Sequence, residues 1–126
     1  MADLSHLKRV LVAEDEALIL LDVAQSLEDF GVAEVITVTT VEDALAAISA
    51  GACDAVVLDV HLGRSGSSAP VAEQLRARGI PFIVTSGSEV DGTGHAGGPV
   101  LAKPFSSAQL VDALNAVTSA HRSAVA

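Results

Sequence analysis

Four short apolar runs, continuous rather than alternating with polar residues, recur along the chain at Arg9 to Ala13, Ala55 to Leu58, Ile80 to Val84 and Val100 to Ala102, with a fifth, weaker one at Val35 to Val38. Runs of that length without a polar face suit strands covered on both sides. Helical spacing fills the gaps. Glu16 to Phe30 places Leu20, Val23, Ala24 and Leu27 on one stripe and stops at Gly31. Val41 to Ala50 follows Thr40, has Asp43 placed as a capping-box partner, and ends at Gly51. Pro70 to Arg78 opens on a proline and closes at Gly79. Ser107 to about Ala120 has Ser106 and Gln109 placed as cap and box partner. Strand and helix therefore alternate, and such a chain folds by right-handed crossovers into an α/β, doubly wound parallel sheet of five strands. One helix is missing from the pattern. Ser86 to Pro99 (SGSEVDGTGHAGGP) holds five glycines and no helical periodicity. The fourth helix is therefore expected to be short, distorted or missing.

The 126 residues suffice for a single domain with its core over about 7–120. Three Phe and no Tyr or Trp leave that core to Ala, Val, Leu and Ile. A net charge of -9 disfavours nucleic acid and anionic membranes as partners, because phosphate backbones need Lys and Arg to displace their counterions. Cations, including metal ions, are favoured instead. No opening segment reads as a secretion signal, and no apolar run approaches the roughly 18 residues of a membrane span, so a cytoplasmic location is expected. Cys53 is the single cysteine and reads as a small semi-buried residue rather than a reactive thiol.

In an open parallel sheet the site forms at the carboxyl ends of the strands. Here the first strand runs into Glu14, Asp15 and Glu16, the third into Asp59, the fourth into Thr85 and Ser86, and the fifth into Lys103 and Pro104. Two like charges about 4 Å apart repel by roughly 4 kcal/mol near a protein surface, so the acidic cluster calls for a compensating cation. Each feature alone is ordinary: carboxylates at a helix start serve its dipole, Asp59 can cap a turn, and a lysine is usually a solvated charge. Four of them on one edge point to a functional site. The chemistry that fits is magnesium-assisted phosphoryl transfer to a carboxylate. Asp15 and Asp59 would be ligands, Glu14 would reach the ion through water, and Lys103 and the Thr85 hydroxyl would meet the transferred group.

With the motifs VAEDE (Val12 to Glu16), VVLDVHLG (Val56 to Gly63), VTSG (Val84 to Gly87) and AKPF (Ala102 to Phe105), the sequence resembles the receiver domain of two-component response regulators from about Leu7 to Ala120. The resemblance implies a flavodoxin-like (βα)5 fold and a stand-alone receiver that signals through protein contacts. It makes Asp59 the phosphoacceptor and assigns Glu14, Asp15, Asp59 and the main-chain carbonyl of His61 to Mg2+ or Mn2+. Thr85 and Lys103 become the phosphoryl-binding and switch residues, with a cis bond before Pro104. The donor would be a phosphohistidine on a histidine kinase or a histidine phosphotransfer protein. Such a protein catalyses only its own phosphorylation and slow dephosphorylation, and is not an enzyme turning over a metabolite.

The sequence also departs from the family. Val100 stands where receivers usually carry an aromatic that turns inward, which shifts the expected readout toward the glycine-rich 86–99 stretch, a change that amide exchange would register on phosphorylation. Leu62 and Gly63 replace a common Met-Pro pair, and Arg64 to Ser68 is expected to be mobile. The His61 side chain is either an exposed loop histidine or, with Gly87, a group that tunes dephosphorylation. Two other classes compete. A degenerate receiver would bind partners without phosphorylation, and a flavodoxin-like flavin binder would need a hydroxyl- or glycine-rich loop where this chain has three carboxylates.

Overall fold

The computed structural model describes residues 3–51, 53–87 and 99–125. Its strands are β1 (Arg9–Ala13), β2 (Glu34–Val38), β3 (Ala55–Asp59), β4 (Phe82–Ser86) and β5 (Val100–Ala102). The helices are α1 (Ala17–Asp29), α2 (Val41–Ala50), α3 (Ala69–Arg78) and α4 (Ser107–Val125), with a short 3-10 turn at Gly63–Ser65. All pairings are parallel, and the strand order is β2-β1-β3-β4-β5. This is the doubly wound α/β sheet read from the apolar runs. The expected short, distorted or missing helix between β4 and β5 falls on residues 88–98, outside the described residues. Among the described residues, no helix is long and apolar enough to cross a membrane.

The sheet separates two cores, and strand periodicity decides which residue enters which. Leu11, Ala13, Val56, Leu58, Phe82 and Val84 face α2 and α3, where Val41, Ala44, Ile48, Val71 and Leu75 pack against them. Val10, Val12, Ala55, Val57 and Ile83 face α1 and α4, against Val23, Leu27, Leu110, Val111 and Leu114. Aliphatic side chains suffice because the central strands are buried on both faces; each fully buried Val or Leu contributes about 1.5–3 kcal/mol. Cys53 is 7% exposed, and burial pushes its thiol pKa up, which keeps it protonated and inert.

The helix ends follow the sequence signals. Thr40 accepts a hydrogen bond from the Asp43 N–H at 3.0 Å. Ser106 and Gln109 exchange reciprocal bonds, with the Ser106 N–H donating to Gln109 Oε1 at 2.8 Å and the Gln109 N–H to Ser106 Oγ at 3.1 Å. The fourth strand begins at Phe82 rather than Ile80. The Ile80 N–H closes the end of α3 on Leu75 O at 2.9 Å, and Pro81 has no N–H to give.

The segment expected to be mobile, Arg64 to Ser68, instead forms a closed turn. Leu62, 1% exposed, anchors it in the core. The Leu62 N–H donates to Gly66 O at 2.9 Å, the Ser65 N–H to Leu62 O at 3.0 Å, and His61 bridges Ser67. Ser68 is fully buried at the N-cap of α3 yet makes no capping bond. Its hydroxyl turns back to the carbonyls of Asp59 and Val60, tying the start of α3 to the end of β3. Ser68→Ala should therefore cost about 1–3 kcal/mol, the range for leaving a buried polar group without its partner. Urea unfolding followed by circular dichroism checks this; an unchanged midpoint would show that water replaces the hydroxyl.

Candidate functional site

The strand alternation that sorts the core also builds the site. On the α1 and α4 side of the sheet the sequence steps by two from Val12 to Glu14, from Val57 to Asp59, from Ile83 to Thr85 and from Leu101 to Lys103. On each of these four strands, the position after the last apolar residue on that side is polar. The ladders carry the polar residues to one edge. The Glu14 N–H donates to Val38 O at 3.1 Å and the Lys103 N–H to Ser86 O at 2.8 Å. Asp59 and Thr85 are direct register partners.

Glu14, Asp59 and Thr85 are buried, at 3%, 7% and 2% exposure. Lys103 lies between the first two: its Nζ is 2.6 Å from Glu14 Oε1 and 2.9 Å from Asp59 Oδ2. Burial opposes the charge on Lys103, but the hydrogen bonds to Glu14 and Asp59 outweigh it and hold the lysine pKa above its ordinary value. The other oxygen of Glu14 accepts the Glu16 N–H at 3.0 Å. The repulsion within the acidic run is thus offset by one ammonium and one main-chain donor.

Asp15 is exposed, and oxygens of Glu14, Asp15 and Asp59 lie within 4.8 Å of one another. These are hard oxygen donors, the kind Mg2+ selects. Ligands on one Mg2+ stand at most about 4.2 Å apart, and an oxygen that reaches the ion through water stands farther off. The residues present fit a hydrated divalent cation.

The remaining predicted residues surround this centre. The His61 N–H points at Asp59 Oδ1 over 3.4 Å, a long contact, and the His61 side chain is exposed. The Lys103–Pro104 peptide is cis. Gly87 lies against the Lys103 side chain and, with Ile19, Val23 and Phe105, lines a groove beside it. Val100 is 42% exposed at the start of the edge strand. Sequence reasoning missed Ser68 and the contact between Gly63 and Asp15. A serine before a proline-opened helix reads as a cap, and nothing local shows that its hydroxyl turns the other way.

A family model described as the response regulator receiver domain matches residues 10–115. Transcriptional regulatory protein PdtaR of Mycobacterium tuberculosis is 32% identical over a 126-residue alignment, which covers 96% of this chain and 62% of that protein. The chain therefore spans less than two thirds of the length of that relative. The crystal structure of a response regulator receiver protein from Sinorhizobium medicae WSM419 superposes with a TM-score of 0.82 at 31% identity, covering 90% of this chain and 96% of that one. The solution structure of SdrG from Sphingomonas melonis Fr1 gives a TM-score of 0.75 at 40% identity, covering 90% and 98%.

Proposed function

The chain belongs to the response regulator receiver domain family, and on that premise we propose that it accepts a phosphoryl group on Asp59 from a phosphohistidine, in a Mg2+-dependent reaction, and signals by protein contacts. The donor is a histidine kinase or a histidine phosphotransfer protein. The observation that carries the reading is the placement of the Lys103 ammonium between Glu14 and Asp59 at one edge of the sheet.

The steps assigned to the chain's own residues are few. An Asp59 carboxylate oxygen attacks phosphorus, forming a P–O bond as the P–N bond of the donor breaks and the imidazole leaves with the electron pair. Lys103 holds the Asp59 carboxylate by a hydrogen bond and then faces a phosphoryl oxygen. The Thr85 hydroxyl, beside Asp59 in the ladder, donates to another. Asp15, Asp59 and the His61 carbonyl would hold Mg2+ directly, and Glu14 would act through water. The ion supplies neutralisation of the charge on the transferred group.

Intact mass of the protein incubated with Mg2+ and a small acyl phosphate tests this directly. A gain of one phosphoryl group, absent when the metal is chelated, is expected. No gain with either the small donor or a cognate kinase would leave a receiver fold that binds partners without phosphorylation.

A further inference from the structure

The turn after β3 comes close to the Asp15 carboxylate at a glycine. Gly63 has φ +55°, and a Cβ placed on it would lie 2.7 Å from Asp15 Oδ2, well inside van der Waals contact. Either the turn or the carboxylate would have to move. The turn is held from several sides: by Leu62 in the core, by the Gly66 N–H on Gly63 O at 3.1 Å, by the His61–Ser67 bridge, and by Ser65 Oγ on Glu42 Oε1 at 3.2 Å. Behind it, Ser68 fastens the segment to the carbonyls of β3. Asp15, in contrast, is an exposed side chain with two rotatable bonds. The carboxylate is the part that yields.

We infer that Gly63 is a positioning residue of the cation site: its missing side chain is the space that lets the Asp15 carboxylate stand with Glu14 and Asp59. The inference rests on the reading that this cluster holds Mg2+. It also makes Gly63 a determinant of which ion is preferred. Mg2+ demands near-octahedral oxygens at short distance, whereas Ca2+ accepts longer and irregular ligand sets. A methyl at position 63 displaces one ligand oxygen and so penalises the smaller ion more.

Gly66 provides the control. It also has a positive φ, +87°, but a Cβ there would meet nothing within 4 Å. At φ +87° and ψ -149° it sits in a region open essentially to glycine alone, so Gly66→Ala carries a backbone penalty without the contact. Dissociation constants for Mg2+ and Ca2+ are measured on the full chain by titration calorimetry for wild type, Gly63→Ala and Gly66→Ala. Gly63→Ala is expected to weaken Mg2+ about ten-fold or more and Ca2+ clearly less, while Gly66→Ala stays within about two-fold for both. Equal effects of the two variants, or equal losses for the two ions, overturn the inference.

A second measurement needs no metal. Asp15→Ala removes the oxygen that the new methyl meets, so Gly63→Ala should lower the apo melting temperature less in that background than in wild type. Equal lowering in both backgrounds overturns the contact. Wild type that binds no Mg2+ overturns the reading of the cluster instead, and with it the role in ion preference, while the melting cycle still scores the contact.

Discussion

Asp59→Asn protein, incubated with Mg2+ and a small acyl phosphate, is expected to keep its mass unchanged while wild type gains one phosphoryl group. The loss should be complete rather than partial. An amide offers no anionic oxygen to phosphorus, and Asp15, the exposed carboxylate nearby, has neither Lys103 nor a register-paired hydroxyl beside it. The same substitution should leave the apo fold as stable as wild type or slightly more so. Glu14, Asp15 and Asp59 against Lys103 leave two uncompensated negative charges, and asparagine leaves one while the Glu14–Lys103 pair stays intact. A phosphoryl gain by the variant would place the acceptor elsewhere. A lowered melting temperature would show that the bond from Lys103 to Asp59 outweighs the repulsion it offsets.

Lys103→Met should have the largest effect on stability. Methionine keeps the apolar stem but removes the ammonium, leaving Glu14 and Asp59 nearly buried with no cation beside them. Breaking a buried pair in this one-sided way costs about 3 kcal/mol, the low end of the usual range, because the Lys103 side chain is 13% exposed and water reaches it. Urea unfolding in chelator at pH 7, followed by circular dichroism since the chain has no Trp or Tyr, gives the number. Mg2+ should then raise the melting temperature of the variant more than that of wild type, because it supplies the missing positive charge.

The pH dependence has a definite sign. Burial works against the charged lysine, and the bonds to Glu14 and Asp59 more than offset it, so the folded-state pKa lies above the unfolded one. Stability from such a group is fully present below the unfolded value of roughly 10.4 and is lost as pH rises through the folded value. The stability gap between wild type and Lys103→Met should therefore stay constant from neutral pH to about 10 and close above it. A gap that closes between pH 7 and 9 would mean that burial outweighs the two hydrogen bonds and lowers the Lys103 pKa instead.

Much of this molecule was legible because its physics is local. Unbroken aliphatic runs, Gly31 and Gly79 as stops, and the Thr40 and Ser106 caps each mark an element through forces acting within a few residues. The four polar strand ends were legible because a strand carries its period-two pattern into the first residue past the core. What escaped the sequence depends on contacts between segments far apart. The start of β4 moved by two residues because the Ile80 N–H belongs to the preceding helix. The Arg64 to Ser68 turn looked loose from its glycine and serines, yet a buried leucine and a back-turned hydroxyl close it. The approach of Gly63 to Asp15 joins residues 48 apart in the chain, and no spacing rule encodes it.

The direct pairing of Asp59 with Thr85 has a consequence for how such a chain can change in length. Side-chain direction in a strand reverses at every residue, so one residue inserted within β4 would turn the hydroxyl toward the α2 and α3 core, and one inserted within β3 would bury the Asp59 carboxylate there. Insertions in the connections leave that parity untouched. Functional homologues should therefore differ in the number of residues between strands but keep a constant count from the last core side chain to each reactive group. A single-codon insertion inside β3 or β4 should abolish function more surely than most substitutions, even at positions that no partner ever touches.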